Sequence, residues 1–224
     1  MNILKAAGLA LALALAGGTI AVRVIAGAAQ PAQAPRTEGE DLYHRGFYAE
    51  AIAWWTAKAA LGDPGAAYHL GVEYMDGKVN VVQRDYDKAR QFHMQAATAG
   101  DPRSMMDIGT MCEYGLGVTA DLLQASQWYE RSAKYGYGPG EYNFATLLET
   151  GDAGRKDEVE AFKFYVLAAD QGLGGVPYDR TTNRVVRGGD GAIEMLAKRL
   201  TKAQIADATA RAKSFKPLTG PLKL

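Results

Sequence analysis

The sequence predicts an all-α protein, a solenoid of stacked antiparallel helical hairpins. Three observations carry that expectation. Glycines close successive segments at Gly62, Gly100, Gly136 and Gly172, at intervals of 38, 36 and 36 residues. Aromatic pairs or near-pairs precede them at the same intervals: Trp54-Trp55, Phe92-His93, Trp128-Tyr129 and Phe164-Tyr165. Alanines keep the same beat, three before each pair (Ala51, Ala89, Ala125, Ala161) and three before each closing glycine (Ala59, Ala97, Ala133, Ala169). A fixed period of this length marks an array in which each unit buries its apolar face against the next.

The first 28 residues read as an export segment. Lys5 precedes an apolar run, Ala6 to Val22, that Arg23 ends, with small residues beyond it. This is the layout of a secretory signal. The run has about the shortest length that spans a bilayer, so an uncleaved anchor is the alternative. No cysteine follows for lipid attachment, and either reading leaves the rest of the chain outside the cytoplasm. The expected location is therefore periplasmic or secreted, or anchored in the inner membrane and facing the periplasm. Residues 29–37 read as a flexible tether.

The first repeat, about 38–62, is a short hairpin in which Asp41-Leu42-Tyr43 belongs to the first helix and Gly46 makes the turn. Three full copies follow, at 63–100, 101–136 and 137–172. Asp63-Pro64 and Asp101-Pro102 place a capping carboxylate before a proline whose missing N–H costs nothing at the first helical position. The stripe Ala66, Leu70, Tyr74 recurs as Ser104, Ile108, Cys112 and as Gly140, Phe144, Leu148, one face of a helix each time. Gly71, Gly109 and Ala145 let a neighbouring helix approach closely. Gly77, Gly115 and Gly151 end these first helices, and second helices run from about Asp85, Asp121 and Asp157 to the closing glycines. Residues 172–191, rich in glycine and carrying Arg180, Arg184 and Arg187, break the pattern and form a loop or arm. Capping helices occupy 189–215, with Thr201 and Gln204 as a capping box. The end, 216–224, reads as a loose tail.

Composition excludes several function classes. The 25 Lys and Arg balance 25 Asp and Glu, which is not the footprint of a nucleic-acid binder. Residues 1–36 hold three of the bases and no acid, so the remainder has 22 bases against 25 acids, a net of −3. One cysteine rules out an intramolecular disulfide framework.

Ala66-Ala67-Tyr68-His69-Leu70-Gly71-Val72-Glu73-Tyr74-Met75-Asp76-Gly77 resembles the first helix of the Sel-one-like repeat (SLR) family, a branch of the tetratricopeptide-like α-solenoids. So does Gly115-Leu116-Gly117-Val118 with Asp121, Ala125, Trp128-Tyr129, Ala133 and Gly136. The third full copy departs, because Gly140 to Ala145 lacks the Leu-Gly pair and Gly154 replaces the glycine-valine turn. The resemblance implies a right-handed superhelix whose first helices line a concave surface for protein partners. It implies no chemistry. Cysteine-rich relatives have been credited with hydrolase or β-lactam-binding activity, but this chain lacks those cysteines.

Each candidate for chemistry has a plainer explanation. His93 stands in the aromatic column, as a packing residue. His69 and Glu73 share a helix face but have no third ligand for zinc. Cys112 occupies an apolar column, as a buried thiol. Gly115-Leu116-Gly117 and Gly172-Leu173-Gly174-Gly175 follow no strand and precede no Gly-Lys-Ser/Thr, so they read as turns. Asp152, Asp157, Glu158 and Glu160 complement a helix dipole. No catalytic, metal-binding or cofactor-binding residue is assigned. The expected function is a non-catalytic adaptor of the bacterial cell envelope. It would bind another protein on the concave face through His69, Asp107, Asn143 and Glu73, Met111, Leu147. The alternatives are a cell-wall-active hydrolase or β-lactam-binding enzyme, and an accessory regulator of an envelope polysaccharide or secretion machine. No nucleic acid is expected as partner, and a membrane only if the N-terminal segment is uncleaved.

Overall fold

A computed structural model describes residues 36–78, 80–173 and 191–222 in full, and the backbone of 9–14, 21–26, 178–179 and 184–185. Among the described residues ten α-helices form a linear stack. The first hairpin is α1 (Glu38–His44) with α2 (Tyr48–Ala60). Then come α3 (Pro64–Asp76) with α4 (Tyr86–Thr98), and α5 (Pro102–Tyr114) with α6 (Leu122–Lys134). Helices α7 (Gly138–Thr150) and α8 (Glu158–Asp170) make the fourth, and α9 (Ala192–Ala197) and α10 (Lys202–Lys213) cover α8.

The punctuation residues act as the sequence indicates. Asp63, Asp85, Asp101, Asp121 and Asp157 each accept a backbone N–H of the first turn of their helix. Thr37 with Glu40, and Thr201 with Gln204, close capping boxes. Gly115 and Gly151 end α5 and α7 in the left-handed conformation, where a side chain would be strained. Although α7 lacks the Leu-Gly pair, it has the same 13 residues as α3 and α5.

The aromatic pairs divide their labour. The second members, Trp55, His93, Tyr129 and Tyr165, are all fully buried. Close approach makes room for them: a Cβ on Gly71 would stand 2.6 Å from the His93 ring, and one on Gly109 2.6 Å from the Tyr129 ring. First members bridge to neighbouring elements, as where Phe92 stacks on Tyr74 (5.7 Å, 9°) and Phe164 meets Phe144 edge-on (5.1 Å). The core divides in two. One part centres on Trp55, Leu70 and Ala96; the larger runs from Ala97 through Tyr129 and Tyr165 to Ala212.

Near the N-terminus, Leu9–Ala14 (β1) pairs antiparallel with Ala21–Ala26 (β2). No helix among the described residues is long and apolar enough to cross a membrane. In the 173–191 arm, Tyr178–Asp179 (β3) pairs with Arg184–Val185 (β4); the rest of that expectation lies outside the described residues.

The tail is not loose. Leu218 N–H donates to the Lys134 carbonyl (2.8 Å) and Leu222 N–H to the Thr98 carbonyl (3.0 Å). Phe215, just before it, packs edge-on against Phe164 (6.4 Å). Pro217 and Pro221 fix φ on either side of a bend at Gly220 (φ 84°), and the segment lies across helix ends.

Candidate partner-binding face

The six residues expected to line the partner surface do not lie together on an exposed face. Asp107, Met111 and Leu147 are 7%, 1% and 1% exposed, and Glu73 is equally buried. His69 is half-buried: its ring stacks on Trp55 (4.5 Å, 10°) and Nε2 stands 3.2 Å from Glu40 Oε1. Burial and the nearby Glu73 carboxylate push the Tyr43 phenol up, so α1 lies against both side chains. Asn143 alone keeps a half-open position without such cover. The correction has a geometric cause. The columns 69/107/143 and 73/111/147 turn toward the preceding hairpin, where His69 meets Trp55 and Glu40 and Asp107 meets His93. At 100° per residue the open side lies about a quarter turn away.

That open side carries three columns, each repeating at 38 and 36 residues. Tyr68, Met106 and Tyr142 form one, all half-buried. Val72, Thr110 and Thr146 form the second, and Met75, Glu113 and Glu149 the third. The Tyr129 hydroxyl donates to Glu113 Oε2 (2.6 Å) and lies 3.3 Å from Thr110 Oγ1. One repeat later the Tyr165 hydroxyl donates to Glu149 Oε2 (2.8 Å) and lies 3.2 Å from Thr146 Oγ1. The same Thr–Tyr–Glu set therefore recurs, with a buried tyrosine fixing a carboxylate at the edge of the groove. Burial raises the Tyr165 phenol well above its ordinary value, so it remains a donor at any physiological pH. Arg199 of α9 ion-pairs with Glu149 and also reaches Glu158 (3.1 Å), closing the groove at that end. The 36-residue spacing of Thr110/Thr146, Glu113/Glu149 and Tyr129/Tyr165 was visible in the sequence.

Beneath this face lies a polar cluster that sequence spacing does not reveal. His93 on α4 meets Ser104 and Asp107 on α5, with Ser104 Oγ 3.3 Å and Asp107 Oδ2 3.8 Å from His93 Nδ1. Serine, histidine and aspartate together invite comparison with a nucleophilic triad. In a triad, serine and carboxylate use opposite ring nitrogens and the serine faces substrate. Here both approach Nδ1, Ser104 is fully buried, and Nε2 has no partner. The set is a packing element. Burial pushes the His93 imidazole down to about 4 and the Asp107 carboxyl up to about 7. The imidazole is thus neutral in the interior, and the carboxyl keeps its proton up to about neutral pH.

The remaining candidates are structural. Cys112 is buried, and burial raises its thiol above the ordinary range. Gly117, with φ of 70°, lets the turn pass against Tyr86. Glu158 and Glu160 at the start of α8 pair with Arg199 and with Arg211 and Lys163. Among the described residues no group of three His, Cys, Asp or Glu could hold a metal ion.

Residues 64–101, 102–137 and 138–173 each match the family model described as Sel1 repeat. A solved structure of a Sel1 repeat protein from Oxalobacter formigenes aligns with a TM-score of 0.55 at 26% identity, over 59% of this chain and 54% of that one. A protective antigen of uropathogenic Escherichia coli strains with an SLR fold aligns with a TM-score of 0.58 at 26% identity, over 79% of this chain and 36% of that one. Among curated proteins, chitin synthase regulatory factor 3 of Schizosaccharomyces pombe is 34% identical over 86 residues, 38% of this chain but 9% of that protein. This chain therefore covers only a small part of that relative.

Proposed function

The chain belongs to the Sel1-repeat family, whose members act in protein–protein interaction and scaffolding, and from that premise we propose that it is a non-catalytic adaptor of the bacterial cell envelope. Its partner is another protein, held along the open side of α3, α5 and α7. The observation that carries this reading is the recurrence of Thr–Tyr–Glu at Thr110, Tyr129, Glu113 and at Thr146, Tyr165, Glu149. Those fixed carboxylates flank the half-buried Tyr68, Met106 and Tyr142. Aromatic and thioether anchors beside oriented polar groups are the composition of an interface core with a polar rim. The reading against catalysis rests on the family's general character and on the burial of His93 and Ser104.

A regulatory role in an envelope polysaccharide machine is the second reading. The observation that favours it is the likeness to a chitin synthase regulatory factor. It uses the same face, with a synthase component as the partner.

The test is photo-crosslinking in intact cells from probes at Val72 and Met75, on the same open side, with the attached proteins identified by mass spectrometry. Met106→Ala combined with Tyr142→Ala abolishes the crosslinked species while far-ultraviolet circular dichroism stays unchanged. Capture that persists in the double variant discards this face. Protease accessibility in spheroplasts decides the location: a chain protected there is not periplasmic.

A further inference from the structure

The tail touches the solenoid at positions that are equivalent under the repeat. Thr98 and Lys134, whose carbonyls accept Leu222 and Leu218, are 36 residues apart, each two before a closing glycine. The glycines are covered too. The Gly220 carbonyl rests on Gly100, and Pro217 lies where a Cβ on Gly136 would be 2.7 Å from its ring. The two donors, Leu218 and Leu222, are four residues apart, and each follows a proline, Pro217 and Pro221. One step along the tail, at most about 14 Å of extended chain, thus matches one step of the solenoid.

The same edge has a further rung that no described residue of the tail reaches. Ala60 stands one repeat before Thr98, and Gly62 one repeat before Gly100. Among the described residues nothing donates to the Ala60 carbonyl. The residue four ahead, which would ordinarily supply that N–H in a helix, is Pro64, and the same holds for Thr98 and Pro102; proline has no N–H to give. A Cβ on Gly62 would meet nothing within 4 Å, and neighbouring Leu61 is 82% exposed.

We propose that the row of second-helix C-termini is a peptide track, separate from the first-helix face, whose ligand is an extended partner segment carrying Pro-Leu pairs four residues apart. The chain's own tail is the resident occupant, and the incoming segment displaces it and gains the open rung at Ala60–Gly62. Recognition is mainly by the main chain, one amide per repeat donated to an orphan helix carbonyl. Proline before each donor keeps the peptide extended and lowers the entropy lost on binding. This is the α-solenoid counterpart of recognition by strand addition, in which main-chain hydrogen bonds give affinity.

The test uses the full-length chain with Leu218→Pro and Leu222→Pro, which removes both donors and frees the track. The probe is a synthetic peptide of residues 216–223 carrying a fluorophore, followed by anisotropy. The peptide binds this variant, and binds the unaltered chain at least about tenfold more weakly because the tethered tail competes at high effective concentration. A control peptide with both leucines replaced by proline does not bind. Adding Gly136→Ala to the variant abolishes binding, whereas adding Gly62→Ala, equally strained at φ of 88° against 77°, leaves the 216–223 peptide bound. Failure of the peptide to bind the freed chain, or equal binding by the control peptide, overturns the proposal. So does a chain that is dimeric when unaltered and monomeric when carrying the two prolines, which would place the tail on a second copy.

Discussion

Replacing Asp107 by asparagine should stabilise the protein at alkaline pH and do little at acidic pH. The carboxyl is 7% exposed, and Oδ2 has no hydrogen-bond partner. Burial lifts it from an ordinary 3.8 to about 7. Between these values the folded chain holds a proton that the unfolded chain has released. Stability therefore falls as pH rises from about 4 to about 7, and stays at the lower level above that. Three units at about 1.36 kcal/mol each set a ceiling of about 4 kcal/mol. Local relaxation and water entry reduce such penalties, so the loss is about 2–4 kcal/mol. Asparagine keeps the shape and cannot ionise. For a chain of this length, that is a rise in Tm of roughly 4–16 °C at pH 8. The assay is thermal unfolding by circular dichroism at pH 4.5 and pH 8 for both chains. His93 acts in the opposite sense: with its imidazole pushed down to about 4, it removes stability as pH falls from about 6.5 toward 4. Because His93 stands 3.8 Å from Asp107, its contribution is coupled to the substitution and is smallest in the comparison at pH 8, where the imidazole is neutral in both chains. A gain that is the same at both pH values would refute the reasoning, since it would show packing and not ionisation to be at work.

Other outcomes follow from single positions. Gly109→Ala places a methyl 2.6 Å from the Tyr129 ring and should cost about 1–3 kcal/mol by overpacking. Gly65→Ala meets only Asp63 Oδ1 at 3.3 Å and should be neutral or stabilising by up to about 1 kcal/mol; chemical denaturation separates them, and equal effects would count against the close-approach account. Thr201→Ala opens the capping box of α10 at about 1 kcal/mol, read as faster amide exchange in that helix. Met111→Ala should cost about 2–5 kcal/mol with no selective loss of partner capture, as its burial requires. Cys112 should resist thiol reagents until the chain unfolds; rapid labelling of the folded protein would contradict its placement.

How much of this was written plainly in the sequence depends on whether a feature is local. Caps were legible, because Asp63-Pro64 and Thr201 to Gln204 satisfy their own helix ends within four residues. The burial of Trp55, His93, Tyr129 and Tyr165 was legible too, since a column repeated in four copies must face its neighbours. The rotation of the first helices was not. Whether Met111 or Met106 faces solvent depends on how closely α3, α5 and α7 crowd one another, and a single-helix wheel carries no information about a third element. The Ser104–His93–Asp107 cluster joins α4 to α5 across a turn, and its three members belong to three different columns, so no one column reveals it. The docking of the tail is not legible in composition: Pro217 and Pro221 read as loose chain, and their spacing of four gains meaning only beside acceptors on helices more than 80 residues away.

That returning strand alters how the molecule should come apart. A linear array ordinarily melts from its ends, because each unit is coupled only to its neighbours. Here the chain end is stapled to the second and third hairpins while its root sits on the fourth, so the last three hairpins are laced into one cooperative block. Fraying should begin at the opposite end, in the short α1–α2 hairpin. A reporter fused after Leu224 would emerge beside the middle of the array and not beyond its terminus.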